Sequence, residues 1–436
     1  MSGFVLGMYS GLMRLAQPLL RRKMARRAVL EPGYGEAVDE RFGRYSQPRE
    51  TSSSLVWLHA VSLGETRTAA VLIKALRERQ PGLRLLLTHG TATGRAEGKA
   101  VLQPGDIQVW QPWDTQVVVA RFFEHFKPRL GLLMETEVWP STVASAKARG
   151  ISLVLVNGRL SEKSLQQALT MSPLAYPAFA ALTAVYAQTA LDAKRFRQLG
   201  AEVAGVFGNL KFDTAPSADQ QATGKAWRNA LKQPVIMFAS SRDGEEALFL
   251  EEIKAVALQT QARQATDSIA CKYLIVPRHP QRFDEVAALV KQYGLKLSRR
   301  SSWSGSPFDN IEAMQADLWL GDTLGEMPLY YALSDVALLG GSFEKLGGQN
   351  LIEAAACGCP VVMGPHTFNF LEAAAWAESA GAAQRVSDMA GALSWAIQCV
   401  KDCEAQTRMS HSAIAFASTH QGATQRTVMA LLDYLF

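Results

Sequence analysis

The sequence predicts an α/β protein built from two doubly wound parallel sheets, and three observations carry that expectation. At 436 residues the chain is longer than one hydrophobic core usually organises, so two units of roughly 200 residues each are the ordinary solution. Short apolar runs alternate with helical stretches, first over 55–207 and again over 235–363, which is the signature of βαβ units. Most runs end in polar, glycine-bearing turns, and a parallel sheet gathers such turns at its carboxyl edge, where ligands bind.

Composition narrows the function classes. A hydrophobic content of 48% against 19% charged residues describes a chain that can bury a large core, not a disordered one. Residues 1–30 carry six basic and no acidic side chains, so the net charge of +5 leaves the remainder close to neutral. That balance argues against nucleic-acid binding. The five cysteines (Cys271, Cys357, Cys359, Cys399, Cys403) form no C-x-x-C pair and are odd in number, which points to free thiols in a reducing compartment. Neither a zinc-type His/Cys spacing nor a D-x-D element occurs, so no metal and no cofactor is indicated.

Residues 1–30 read as a membrane-contact segment. The apolar stretch 4–20 is interrupted by Arg14, Gln17 and Pro18 and is short for a span. Val5, Met8, Leu12, Leu15 and Leu19 follow helical spacing, and the cluster 21–27 supplies cations directly after them. The pattern predicts an amphipathic helix lying on an anionic membrane surface through residues 4–27. A secretory signal would carry its charges before the apolar core, which places the protein at a cytoplasmic membrane face, peripheral or held by one N-terminal anchor. The competing reading is a helix docked on the protein's own core.

The first series has strands at 55–61, 84–88, 107–110, 129–134, 152–156, 183–187 and 202–207. Its turns hold the unusual residues: SLGET at 62–66, HGTATG at 89–94, METEVWP at 134–140 and NGRLS at 157–161. Glu65 opens a helix at the end of the first strand. There it is either a general base for an acceptor hydroxyl or a first-turn acid favoured by the helix dipole. Glu135 and Glu137 are either a further acidic contact or a structural pair. Residues 31–213 form the first domain, and the polar, Pro/Gly-punctuated segment 214–233 reads as a linker.

A second series follows, with strands at 235–239, 273–277, 318–321, 336–339 and 361–363 in a domain over 234–405, then helices over 406–436. Ser240 and Ser241 open a turn suited to phosphate or to plain helix capping. Arg278, His279 and Pro280 close an apolar strand where a cation can meet an anion. The stretch from Gly347 to Glu353 lets backbone approach a ligand, with Asn350 and Glu353 spaced to share a helical face and to hold phosphate and a ribose diol. An ordinary βα corner accounts for the same residues equally well.

Taken in order, HAVSLGET, METEVWP, NGRLS, GNLKFD (208–213), VPRHPQRF, GDTLGEM, GGS…GGQNLIEAAA and MGPHTFNF resemble the bacterial 3-deoxy-D-manno-octulosonic acid (Kdo) transferases along nearly the whole chain. The resemblance implies a GT-B fold: two Rossmann-like domains facing across a cleft, with the last helices crossing back to the first. It further implies a metal-independent, inverting transfer of Kdo from CMP-Kdo to lipid IVA at the cytoplasmic face of the inner membrane, in lipopolysaccharide inner-core synthesis. On the family pattern Glu65 is the base. Ser240, Ser241, Arg278, His279, Pro280, Gly325, Glu326, Asn350 and Glu353 lie on the donor side, and His59, Glu135 and Glu137 on the acceptor side. The chain departs from the pattern at Gln349, where His is frequent, at Leu351 and Ala354, where Pro is frequent, and at Arg242, which alternates with His. The alternatives are another GT-B enzyme using a UDP-linked sugar, transferase or epimerase, and a non-catalytic membrane-associated scaffold.

Overall fold

A computed structural model describes residues 3–51, 54–263 and 269–435; residues 1–2 of the N-terminal segment and 436 of the C-terminal segment lie outside it. The chain divides into two units, one of residues 1–214 and 421–436, the other of residues 215–420.

Unit 1 holds a seven-stranded parallel sheet: β1 (Leu55–His59), β2 (Arg84–His89), β3 (Ile107–Trp110), β4 (Leu130–Met134), β5 (Ser152–Gly158), β6 (Ala184–Ala187) and β7 (Val203–Val206). Their order, β3-β2-β1-β4-β5-β6-β7, reverses direction between β1 and β4. β1 and β4 are buried at every position, as central strands with helices on both faces must be. One face packs Trp57, Leu86, Phe122, Phe123 and Phe126 together. The other packs Leu72, Ile73 and Leu76 of the Leu63–Arg79 helix with Val428, Leu431 and Leu435 of the final helix, Ala423–Leu435. That final helix is capped by Asp213, whose carboxylate accepts the backbone N–H of Gly422 at 2.6 Å and that of Thr424.

The N-terminal segment forms two helices, Gly3–Leu15 and Gln17–Leu30, instead of one continuous helix. Pro18 lies in the first turn of the second helix and lacks the N–H that a helix running through it would need. One face of the first helix docks on unit 1: Leu6 is buried, the Trp113 indole donates to the Met13 carbonyl at 2.7 Å, and Ser10 accepts from the Gln116 N–H at 2.9 Å. Its other side leaves Phe4 (77% exposed), Met8, Leu12 and Leu15 (77%) uncovered, with Leu19 following. Among the described residues no helix is long and apolar enough to cross a membrane.

Unit 2 is a second seven-stranded parallel sheet: β8 (Val235–Ser241), β9 (Lys272–Pro277), β10 (Leu297–Arg299), β11 (Leu318–Leu320), β12 (Val336–Leu339), β13 (Val361–Met363) and β14 (Ala383–Arg385). The order β10-β11-β9-β8-β12-β13-β14 reverses between β8 and β12. The edge strands β10 and β14 were not anticipated. Each is three residues long and ends in arginine, too short and too polar to give a period. The segment expected as a linker instead carries the Ala218–Ala230 helix, capped by the Ser217 side chain accepting from the Gln220 N–H. It packs against the Met327–Leu333 helix so closely that a β-carbon at Gly224 would run into the Leu329 carbonyl oxygen. The turn after β12 also differs from expectation: helix begins only at Ile352 and runs five residues. Asn350 therefore lies outside it, with its side-chain oxygen accepting the Ile352 N–H at 3.1 Å, and does not share a helical face with Glu353.

Candidate functional site

Each sheet has its unusual turns at its own topological switch point, where adjacent strands part in opposite directions and a crevice opens beyond their carboxyl ends. In unit 1 the flanking turns are 60–66, after β1, and 135–140, after β4.

Glu65 is the third residue of the Leu63–Arg79 helix, which Ser62 caps by accepting the Glu65 N–H at 3.4 Å. The carboxylate turns back on the cap: one oxygen accepts the Val61 N–H and the other the Ser62 hydroxyl, both at 2.9 Å. This reciprocal arrangement fixes the side chain. The turn is pressed from behind, since a β-carbon at Gly94 would lie 2.8 Å from the Val61 carbonyl oxygen. Burial raises the Glu65 pKa above the ordinary carboxylate value, the nearby Glu135 charge adds to this, and the two hydrogen bonds pull the other way. A half-buried carboxylate with raised basicity is the kind of group that can take a proton near neutrality.

Glu135 occupies a left-handed backbone position, φ +55°, uncommon for a non-glycine residue. Its carboxylate meets Lys211 at 3.1 Å, which brings the 208–213 motif beside it. Glu137 accepts the Trp139 indole N–H at 2.9 Å and lies 3.7 Å from His59 Nε2, an ion-pair distance longer than a hydrogen bond. Burial pushes Glu137 up, yet His59 and the Trp139 N–H together hold it below the ordinary carboxylate value. His59 itself is buried, with Nδ1 on the Thr88 hydroxyl at 2.8 Å. The structure therefore gathers Glu65, Glu135 and Glu137 electrostatically, with Lys211 and His59 as their counterparts. Lys211 was not singled out from sequence, although GNLKFD contained it.

In unit 2 the turns after β8 and β12 interlock. Ser240 has φ +56°, and a β-carbon at Gly340 would collide with its carbonyl oxygen. The organising group is one that sequence reading passed over: Glu245, fully buried. Its carboxylate accepts N–H groups from Gly341 (2.7 Å), Arg242 (3.0 Å), Phe343 (3.1 Å) and Glu344 (3.4 Å). Burial raises its pKa, which these N–H groups partly offset. The signal available was the SSRDGEE turn itself, where two acids follow a glycine with φ +87°.

Ser241 is buried and its hydroxyl donates to Glu246 at 2.8 Å, so in this geometry it serves the turn and not an open site. Its carbonyl accepts the Arg278 N–H at 3.0 Å, and the Arg278 side chain reaches Gln349 at 3.2 Å, joining the turns after β8, β9 and β12. His279 is pushed below its ordinary pKa by burial and then by Arg242, Arg278 and Arg282. That field suits an anion. Pro280 opens a short 3-10 turn after His279. Glu353 is half-buried in the first turn of the Ile352–Ala356 helix. Gly325 and Glu326 follow β11: Gly325 has φ +81°, and Glu326 accepts Arg300 at 2.8 Å, Tyr330 at 3.3 Å and the Thr323 hydroxyl, an internally satisfied knot. Among the described residues no group of three or more His, Cys, Asp or Glu side chains is placed to hold a metal ion.

Comparison with known proteins bears on this chemistry. A family model described as 3-Deoxy-D-manno-octulosonic-acid transferase (kdotransferase) matches residues 36–214. A relative from Bordetella pertussis named 3-deoxy-D-manno-octulosonic acid transferase is 47% identical, covering 98% of this chain and 99% of its own. A Haemophilus influenzae protein of the same name is 30% identical, covering 98% of each chain. Among solved structures, UDP-GlcNAc 2-epimerase from Neisseria meningitidis bound to UDP-GlcNAc is similar at a TM-score of 0.56 and 15% identity, over 87% of this chain and 100% of that one. At that identity the likeness shows the fold alone.

Proposed function

Because this chain belongs to the Kdo transferase family of glycosyltransferases, with a GT-B fold, we propose that it moves Kdo from CMP-Kdo to lipid IVA with inversion, using Glu65 as general base and no protein-bound metal. The observation that carries the mechanism is the Glu65 carboxylate, fixed by two hydrogen bonds at a switch point and raised in basicity by burial and Glu135. It takes the proton of the acceptor hydroxyl as that oxygen attacks the anomeric carbon of Kdo. The bond from that carbon to the CMP phosphate oxygen breaks, and CMP departs. Such proton transfer is typically worth about 10²–10⁴-fold in rate.

On the donor side Arg242 and Arg278 supply positive charge for the departing phosphate, and His279, whose pKa burial and those arginines lower, offers a neutral ring N–H. Glu353 remains the candidate for the ribose diol and Asn350 for the phosphate, now as separate elements and not one helical face. Ser240 contributes through its left-handed backbone turn, and Ser241 through its shape. Gly325 and Glu326 brace the donor side from β11. His59, Glu135 and Glu137 belong to the acceptor side. The exposed ridge Phe4, Met8, Leu12, Leu15 and Leu19, with the cations of 21–27, supports seating on the cytoplasmic face of the inner membrane, where the acyl chains of the acceptor reside.

The deciding experiment is transfer of labelled Kdo from CMP-Kdo to lipid IVA, comparing the parent with Glu65→Ala. The parent turns over and the variant falls by at least about a hundredfold. Absence of transfer by the parent, together with thermal protection by UDP-sugars and not by CMP, would return the protein to the UDP-sugar enzymes of this fold.

A further inference from the structure

Asp114, an acid of unit 1 that the proposed reaction does not use, is 2% exposed in the 111–115 turn after β3. Its carboxylate accepts the backbone N–H groups of Ser141 at 3.0 Å and Thr142 at 2.8 Å, and the Thr142 hydroxyl at 2.7 Å. Its carbonyl accepts the Ser141 hydroxyl at 3.1 Å. Ser141 and Thr142 lie in the first turn of the Pro140–Ala148 helix, whose N–H groups have no partner within the helix. The residue at the cap position, Trp139, supplies no side-chain acceptor. Asp114 therefore caps that helix from a different loop, a task usually done by the residue next to it in sequence. Burial raises the Asp114 pKa, and these hydrogen bonds pull the other way.

The same carboxylate accepts the Tyr9 hydroxyl from the Gly3–Leu15 helix. Its sequence neighbours hold that helix as well, Trp113 through the Met13 carbonyl and Gln116 through the Ser10 hydroxyl. Tyr9 directly follows Met8 of the uncovered ridge, yet its own hydroxyl reaches an acid kept from water. At the far end, Trp139 opens the capped helix and its indole donates to Glu137 at 2.9 Å. Asp114 and Trp139 also share the wall of a cavity of about 60 Å³ with Arg41 and with Leu20 of the second helix. A continuous path thus runs from Tyr9 through Asp114 and the start of the Pro140–Ala148 helix to Trp139 and Glu137. None of these residues is exposed.

We infer that Tyr9 and Asp114 are positioning residues for the acceptor: they set the Glu137 carboxylate relative to the first helix, so that the seating of its exposed ridge fixes where that acid stands. The inference rests on the proposed function, in which Glu137 belongs to the acceptor side. An acceptor held by its acyl chains keeps its sugars at a set height above the bilayer. A stiff connection from the ridge to Glu137 gives the acid the same reference plane, and catalysis depends on such registration.

The test uses the full chain with lipid IVA presented in phosphatidylglycerol vesicles. Tyr9→Phe removes the hydroxyl, keeps the ring, and leaves the ridge and the basic cluster untouched. KM for the acceptor should rise about tenfold, the scale of one hydrogen bond to a charged group, while KM for CMP-Kdo and cosedimentation with the vesicles stay as in the parent. Asp114→Asn, of the same shape with a single acceptor oxygen, should raise the acceptor KM at least as much. A fall in kcat with both KM values unchanged means only that less protein is folded, and it overturns the assignment, as does an unchanged acceptor KM in either variant. Tyr9→Phe/Glu137→Gln checks the route: its acceptor KM should match that of Glu137→Gln alone, and multiplied effects would make Tyr9 independent of Glu137 and overturn it. A readout free of turnover comes from isotope-labelled tryptophan. The Trp139 indole N–H resonance, identified by its loss in Trp139→Phe, should move in Tyr9→Phe, while that of Trp319 in unit 2 stays in place; an unmoved Trp139 resonance refutes the path. If the parent transfers no Kdo, the proposed function fails, and the path is judged on this resonance alone.

Discussion

Replacing Glu65 by Gln separates chemistry from folding. The carboxylate accepts two hydrogen bonds, from the Val61 N–H and the Ser62 hydroxyl, one on each oxygen. A Gln amide offers one oxygen, so one donor loses its partner at a cost of about 1–3 kcal/mol if kept from water. Working against that loss, the ionised carboxylate is disfavoured in the folded protein, because burial and Glu135 raise its pKa. A group whose folded pKa lies above its unfolded value stabilises at low pH and loses that contribution as pH rises through the folded value. At neutral pH Gln removes this burden. The two effects oppose each other, and the melting temperature should move by only a few degrees, about 2–4 °C per kcal/mol in a domain of this size. The rate should behave differently: a neutral amide takes no proton, and kcat falls by about 10²–10⁴-fold. In the parent, initial rates against pH should show an acid limb above the range of a free carboxylate, since protonating Glu65 abolishes the base; in the variant that limb disappears. Initial-rate profiles from pH 4.5 to 8.5 with calorimetry on both proteins measure all three quantities. A variant with more than a tenth of the parent's kcat, or one that keeps the acid limb, would remove Glu65 from the role of base.

Three further outcomes are expected. Asp213→Ala should release the start of the Ala423–Leu435 helix, costing about 1–2 kcal/mol and exposing the last residues to limited proteolysis; unchanged cleavage would show that packing alone holds that helix. Glu245→Ala leaves backbone N–H groups of Arg242, Gly341 and Phe343 without an acceptor, so unit 2 should lose upwards of about 3 kcal/mol, with weaker CMP binding by calorimetry. Normal CMP affinity in a folded variant would detach that turn from the nucleotide. Leu12→Glu/Leu15→Glu should weaken cosedimentation with anionic vesicles by at least about tenfold, given 1.5–3 kcal/mol for each buried leucine, and equal binding would move the membrane contact elsewhere.

The sequence displayed what recurs locally. β3, β12 and β13 matched their expected bounds because each is an apolar run closed by a polar turn, and Glu65 stood out because an acid opens the helix directly after the first strand. Edge strands escaped because β10 and β14 carry little apolar signal in three residues. The Ala218–Ala230 helix falls in a segment that reads as a linker because small polar residues dominate it, yet in Gly224 smallness is a packing requirement and not a break. Glu245 escaped for a deeper reason. Its four partners are backbone N–H groups, three of them about a hundred residues away, and no side-chain pattern announces such a bond. Asn350 and Glu353 were placed on one helix by spacing alone, whereas the glycines before them delay the helix until Ile352.

The contribution of residues 421–436 to unit 1 sets a schedule for the newborn chain. The first 214 residues leave the ribosome without the helix that covers Leu72, Ile73 and Leu76, and all of unit 2 is made before it arrives. At about 5–20 residues per second, the intervening stretch of roughly 200 residues takes on the order of 10–40 s. For that interval a greasy strip of the nascent first unit stands open to whatever else is in reach. Stop codons that trim only the last helix should therefore yield protein that depends on chaperones or is degraded, even with every residue of the proposed chemistry in place.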